Sequence, residues 1–391
     1  MSRAVLFVAT YLILPRPAQA SDLSLFYFPQ ARLVFGGAAP YRDFPTSYGP
    51  LFPYLSASLF FLGESQAAVA VVMIGFDVAS LLLLASVLRS RENPGAHGVS
   101  NLLVYLYTIN PVSAYWAGVT AYNGSIILFF WLVAAILIVK GRAALSVLAG
   151  ASSVLLCKLL GALGLPVFLL HRKMTVARAC LGFALPAAVL LFLASRGLDV
   201  FLPLKREALQ ATSANVWFLL SGLLSLSSMP PVWRLMPFVA ICFGVGALLA
   251  NARRATGYDL ELPGTLALLC GINLVFLLLS RKSCPFYLLM FTLFLCFVSA
   301  RFSLERSTRT PFAMLMLLGV LSVFESLMWV GIGQSLALGA ALADRSTRAA
   351  AWSLATTDVA MVACYVYFLW LSVQTIGAVT GAQPAGRTGT A

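Results

Sequence analysis

Apolar runs of about 20 residues, enough to cross ~30 Å of hydrocarbon, recur along nearly the whole chain and leave few folds open. In lipid every backbone N–H and C=O must find its partner inside the protein, which restricts spanning structures to helices and closed barrels. The runs lack the period-two alternation of barrel strands, so helices remain. Composition supports the same class. Of 391 residues, 61% are hydrophobic and only 10% are charged, against about a quarter charged in soluble domains. The expectation is an all-α polytopic membrane helix bundle of about 12 transmembrane or re-entrant helices. They fall near 3–19, 66–89, 101–117, 124–140, 143–157, 159–171, 177–195, 232–250, 262–280, 285–301, 311–332 and 351–374. Residues 1–376 then form a single transmembrane domain, and 377–391, ending GAQPAGRTGTA, form a disordered tail.

Two spans depart from this pattern. Those at 143–157 and 159–171 are short and interrupted around Lys158, as in a re-entrant pair. The first is also short. Its MSR, apolar run and AQA before Ser21 resemble a signal peptide; the other reading is a true first helix whose start is annotated late. With a cytoplasmic N-terminus, slightly more of the 26 basic residues, Arg3 among them, fall on the cytoplasmic side, as the positive-inside rule requires. Both termini are then cytoplasmic. A net charge of +13 calls for anionic headgroups and lipid phosphates as partners rather than nucleic acid.

Several chemistries have no signature in the chain. The seven cysteines sit in or at the ends of apolar runs without a CxxC pair, which reads as small core residues rather than disulfides or a metal site. His97 and His171 both fall on the cytoplasmic side. No phosphate-binding glycine loop, GxSxG or zinc motif is present. A transferase of this kind would draw on a lipid donor rather than a soluble nucleotide.

The segment 20–65 is the exception to the apolar pattern. It is long, aromatic and rich in Pro and Gly, and it carries Asp22, Asp43, Arg32 and Arg42. Leu23–Phe35 reads as an interfacial helix ended by Gly36 and Gly37, and Leu51–Leu62 as a second short interfacial or re-entrant helix. A carboxylate here can act as general base toward a hydroxyl, guanidiniums can hold a phosphate, and aromatic faces can stack on sugars. Charged residues at membrane depth are rare and often functional. Asp77 admits a functional reading or a hydrogen bond to a neighbouring helix. Lys158 admits contact with a phosphate or carboxylate, or snorkelling. Glu325 and Asp358, in the last two spans, would face a shared polar interior. Arg281, Lys282 and Tyr287 would clamp a lipid phosphate or anchor the interface. Lys205, Arg206, Glu207, Asn215 and Trp217 lie in the long outer segment 196–231.

The string DLSLFYFPQARLVFGGAAPYRDF…SYGPLFPYL resembles the first extracytoplasmic loop of GT-C-fold polytopic membrane glycosyltransferases, most closely the bacterial mannosyltransferase-like group. INPVSAYWAGVTAYNG, SSVLLCKLLGALGLPVFLLHRK and RKSCPFYLLMF resemble three later segments of that family. The resemblance covers most of residues 3–302 and is most specific in the first loop. It implies a GT-C-like bundle in a bacterial inner (plasma) membrane with an extracytoplasmic site. It also implies an inverting hexosyltransferase, mannosyltransferase-like, that moves a sugar from a polyprenyl-phosphate donor to a hydroxyl on a glycan, lipid or protein. Asp22 matches the position of the family's catalytic base, and Asp43 matches the acid of PYRDF. Tyr27, Arg42, Tyr48, Asn123, Lys158, Arg281, Lys282 and Tyr287 would bind substrate. No cofactor is required outright; Mg2+ or Mn2+, if used, would sit on Asp22 or Asp43. The chain departs from the family at Asn123, where many relatives carry Asp, and at Gly49, where they carry proline. The competing expectation is a transporter or flippase for a lipid-linked sugar, which needs a polar path through the bundle.

Overall fold

A computed structural model describes residues 2–13, 21–90, 94–200, 202–203, 212–223, 231–332, 338, 342 and 344–381. Among these residues every regular element is helical. The first helix, α1 (Ser2–Phe7), widens into a π-type stretch over Val8–Ile13. The first loop holds a π-type turn (Leu23–Tyr27) that runs straight into α2 (Phe28–Phe35), then α3 (Phe52–Ser56) and a 3-10 turn (Phe60–Leu62). There follow α4 (Gln66–Arg89), α5 (Pro94–Ile109), α6 (Gly124–Val139), α7 (Ala143–Leu156), α8 (Leu165–Leu169), α9 (Val176–Ser195) and α10 (Val216–Leu223). The chain closes with α11 (Pro231–Thr256), α12 (Leu262–Leu279), α13 (Thr292–Arg306), α14 (Thr310–Ile332) and α15 (Arg348–Gly381).

Six described helices are long and apolar enough to cross a membrane, or seven if the bent pair Ser113–Val119 and Gly124–Val139 counts as one span. Shorter apolar helices, among them Ala143–Leu156 and Leu159–Leu169, account for other stretches read as spans in the sequence. The protein is thus an integral membrane helical bundle. Its centre is α12, whose span is 89% buried, while α9 is only 11% buried and turns Leu181, Leu185 and Leu191 outward. Such an outward apolar face is what lipid stabilises. Of the expected tail 377–391, residues 377–381 continue α15 as helix, and 382–391 lie outside the described residues.

Arg3 corrects the charge reading. It is 8% exposed, not at a cytoplasmic surface, and its Nε donates to Oδ2 of Asp77 at 3.1 Å. Asp77 sits midway along α4 and also accepts the Tyr107 hydroxyl from α5. The guanidinium additionally lies over the Tyr107 ring, 5.8 Å from its centre. Asp77 therefore ties α1, α4 and α5 together. About two turns further on, the Tyr11 hydroxyl donates to the Val119 carbonyl at 2.6 Å and anchors the π-type stretch to the chain before α6.

The first loop folds against the bundle. Its helix buries Leu23, Tyr27, Gln30, Ala31 and Val34 and exposes Leu25, Phe26, Leu33 and Phe35. This is the division expected of a helix lying at a membrane interface. Gly37, at φ 93°, takes the left-handed turn that ends it.

Candidate functional site

Four segments far apart in sequence meet at one place, and each arrives through a break in regular structure. From the first loop come Asp22, Tyr27 and Tyr48. The hydroxyls of Tyr27 and Tyr48 both donate to Oδ2 of Asp22, at 3.3 and 3.2 Å. The two rings meet edge to face at 5.2 Å, and Phe52 backs both. Burial pushes both phenols well above their ordinary value, and the charge of Asp22 adds to this. They stay neutral and remain donors to the carboxylate.

The second segment is the bend before α6. The helical axes on either side differ by 113°. Ala121, at φ 50°, makes the reversal and presents Tyr122 and Asn123 inward. The Asn123 amide N–H donates to the Tyr27 hydroxyl at 3.4 Å. Its side chain is fully buried, and neither Oδ1 nor Nδ2 has a hydrogen-bond partner. An orphaned buried amide costs about 1–3 kcal/mol and calls for an explanation.

The third segment is the end of α7. Cys157 and Lys158 leave helical geometry, and Lys158 is extended at φ −149° and ψ 157°. The break turns Lys158 inward rather than letting it snorkel. It is 7% exposed. Its Nζ donates to the Tyr122 hydroxyl at 3.4 Å and lies 4.8 Å from the Tyr48 ring, 5.4 Å from Tyr122, 6.0 Å from Phe286 and 5.7 Å from Tyr287. Such a cage stabilises a desolvated ammonium. Among the described residues no carboxylate makes an ion pair with it.

The fourth segment, after α12, supplies Phe286, Tyr287 and Lys282. Lys282 is pushed down to about 8, by burial first and then by the like charge of Lys158, with Asp22 acting in the opposite sense. Lys282 is therefore within electrostatic reach of both Lys158 and Asp22. Arg281 contributes its backbone carbonyl to the loop before α10, accepting from Thr212 N–H at 2.9 Å.

Gly49 locks the first segment to the third. Its N–H donates to the Cys157 carbonyl at 2.8 Å and that of Leu51 to the Leu155 carbonyl at 3.0 Å. A Cβ on Gly49 would lie 2.2 Å from the Val154 carbonyl oxygen. This close backbone approach leaves no room for a side chain at position 49, and the donated N–H excludes proline there. Gly49→Ala is expected to push the loop off α7, at about 1–3 kcal/mol for overpacking, and to carry Tyr48 away from Asp22 and Lys158. Amide exchange at Leu51 should accelerate sharply; unchanged protection there would show that the loop is held by something else.

Of the sequence candidates, Asp22, Tyr27, Tyr48, Asn123, Lys158, Lys282 and Tyr287 share this cluster. Arg42 and Asp43 do not. They pair with each other at 2.8 Å on the surface, with side chains 63% and 36% exposed. Arg42 and then the Ala39 N–H hold the Asp43 carboxyl down to about 2. Arg42 instead lines a cleft of about 430 Å³ with Tyr41, Tyr54, Phe192 and Arg196, beside α9. Arg32 pairs with Glu64 at the surface. Asn215 and Trp217 bond to backbone carbonyls around Thr212 and Leu279, and Lys205, Arg206 and Glu207 lie outside the described residues. Tyr122 and Phe286 are the cage members that sequence reasoning did not name, although each is the immediate neighbour of a residue that it did. No group of three or more His, Cys, Asp or Glu gathers as a metal site among the described residues. No protein-family model and no curated protein matches this chain.

Proposed function

We propose that the chain is a membrane glycosyltransferase that transfers a sugar from a polyprenyl-phosphate donor to a hydroxyl acceptor at the membrane surface, with inversion. The observation that carries this reading is Lys158, a buried ammonium without a carboxylate partner among the described residues, in one cluster with a half-buried carboxylate held by two tyrosines. An anion and a nucleophile's proton are the two things such a site lacks. In the reaction the acceptor oxygen attacks the anomeric carbon as the bond from that carbon to the phosphate oxygen breaks. Asp22 takes the acceptor's proton. The leaving phosphate keeps the electron pair, and Lys158 and Lys282 stabilise its charge. Asn123, with its side-chain Nδ2 and Oδ1 both unpartnered among the described residues, suits a sugar hydroxyl. The residues present do not require a metal for any of these steps.

Labelled sugar presented on polyprenyl phosphate to the protein in proteoliposomes tests the reading. Transfer to an acceptor supports it. Movement of the lipid-linked sugar across the bilayer without transfer would favour a transporter instead.

Lys282 adds a pH dependence. Its folded pKa lies below that of a free lysine, so it loses its charge as pH rises through about 8. An anion beside it favours the charged form, so donor binding should weaken above that pH, by up to roughly tenfold per unit. Lys282→Arg should flatten the profile between pH 7 and 10. A donor affinity independent of pH over this range in the wild type would remove Lys282 from the phosphate site.

A further inference from the structure

The last two spans carry one buried acid each, and among the described residues neither makes an ion pair with a base. Glu325 on α14 is 1% exposed and Asp358 on α15 is fully buried. Glu325 accepts hydrogen bonds only from serine hydroxyls, Ser213 on Oε1 and Ser326 on Oε2. Both oxygens of Asp358 lack a hydrogen-bond partner, and so does the hydroxyl of Tyr365, itself fully buried. Tyr365 lies two helical turns after Asp358, hence on the same face, and helical side chains lean toward the N-terminus. The charge of Glu325 acts on Asp358, and both act on Tyr365. Around them stand the loop before α10, whose Ala214 amide approaches Asp358, and Cys284 after α12, which Glu325 also reaches. Among the described residues no lysine or arginine acts on either acid.

Two carboxyl groups within electrostatic reach of each other in a dry interior, with no counter-charge among the described residues, are strongly disfavoured as anions. They must take up protons or a cation. The available donors are all hard oxygens: two carboxylates and three hydroxyls. Hard divalent cations prefer this set, and one such ion matches the two negative charges. We propose that Glu325, Asp358 and Tyr365, with the hydroxyls of Ser213 and Ser326, form a site for one hard divalent cation between α14 and α15. It is separate from the Asp22 cluster and would pin the last two spans to the loop before α10.

The test uses the full chain in lipid nanodiscs, stripped with chelator and titrated at pH 8 with Ca2+, Mg2+ or Mn2+ against sodium chloride of equal ionic strength. The expected result is a saturable rise in melting temperature with at least one divalent ion, and one bound ion per chain by equilibrium dialysis. Asp358→Asn and Glu325→Gln should abolish both signals, and Asp22→Asn should keep them. Tyr365→Phe, which keeps the packing, should weaken affinity by roughly three- to tenfold. If the acid variants do not fold, Tyr365→Phe and the wild-type stoichiometry decide. The absence of any divalent-specific stabilisation, or its persistence in the acid variants, would overturn the proposal. So would stabilisation by lower pH alone, which would assign the pair to protons.

Discussion

Asp22→Asn is expected to lower sugar transfer by roughly a hundred- to ten-thousand-fold, the usual worth of a positioned general base. The amide is nearly isosteric with the carboxyl and can still accept from the Tyr27 and Tyr48 hydroxyls, so the first loop should keep its shape. It cannot take the acceptor's proton. Donor binding should survive, since the ammonium groups that would hold the phosphate are untouched. The measurement is single-turnover transfer in proteoliposomes beside equilibrium binding of the donor. Asp43→Asn should do far less, because Asp43 is engaged with Arg42 outside the cluster. Full transfer by Asp22→Asn would remove Asp22 from the chemistry, and loss only in Asp43→Asn would move the base there.

Arg3→Leu is expected to destabilise the bundle by about 3–5 kcal/mol, the cost of stranding one member of a buried ion pair. Asp77 would be left with the Tyr107 hydroxyl as its only partner at the middle of α4. Asp77→Leu should be comparably damaging, since the guanidinium would then lie buried beside Tyr107 without an anion. The double variant should be less destabilised than either single one, because replacing both charges with apolar groups removes the desolvation cost along with the attraction. Thermal unfolding of the four proteins in one lipid or detergent closes this cycle. Strictly additive losses would show that the two residues act independently.

The helix at Leu23–Phe35 is legible in sequence because its ends are local: the chain leaves an apolar run at Asp22 and meets two glycines at 36 and 37. The break at Lys158 is legible for the same reason, since a lysine interrupts an apolar run and two glycines and a proline follow within LLGALGLP. Partnerships are harder to read. Arg3 and Asp77 are 74 residues apart, and nothing local marks them as a pair. Arg42 and Asp43 invite separate roles as adjacent charges, yet the planar guanidinium folds back on its neighbour with two hydrogen bonds. Tyr122 and Phe286 pass as ordinary membrane aromatics until the bend before α6 and the 3-10 turn after α12 aim them at one ammonium. Asn123 stands out in sequence by its polarity, but its lack of partners emerges only when everything around it is in place.

The bonds from Gly49 and Leu51 to Cys157 and Leu155 also impose an order on biosynthesis. The first loop emerges early, but the strip of backbone that receives it is made about a hundred residues later. At ~5–20 residues per second that is a delay on the order of ten seconds. Through that interval Tyr48 has neither Lys158 nor Tyr287 beside it. A nascent chain halted after Arg142 would contain the entire loop and still lack its seat. The candidate site thus comes together late in membrane insertion, once the segment after α12 has joined the rest.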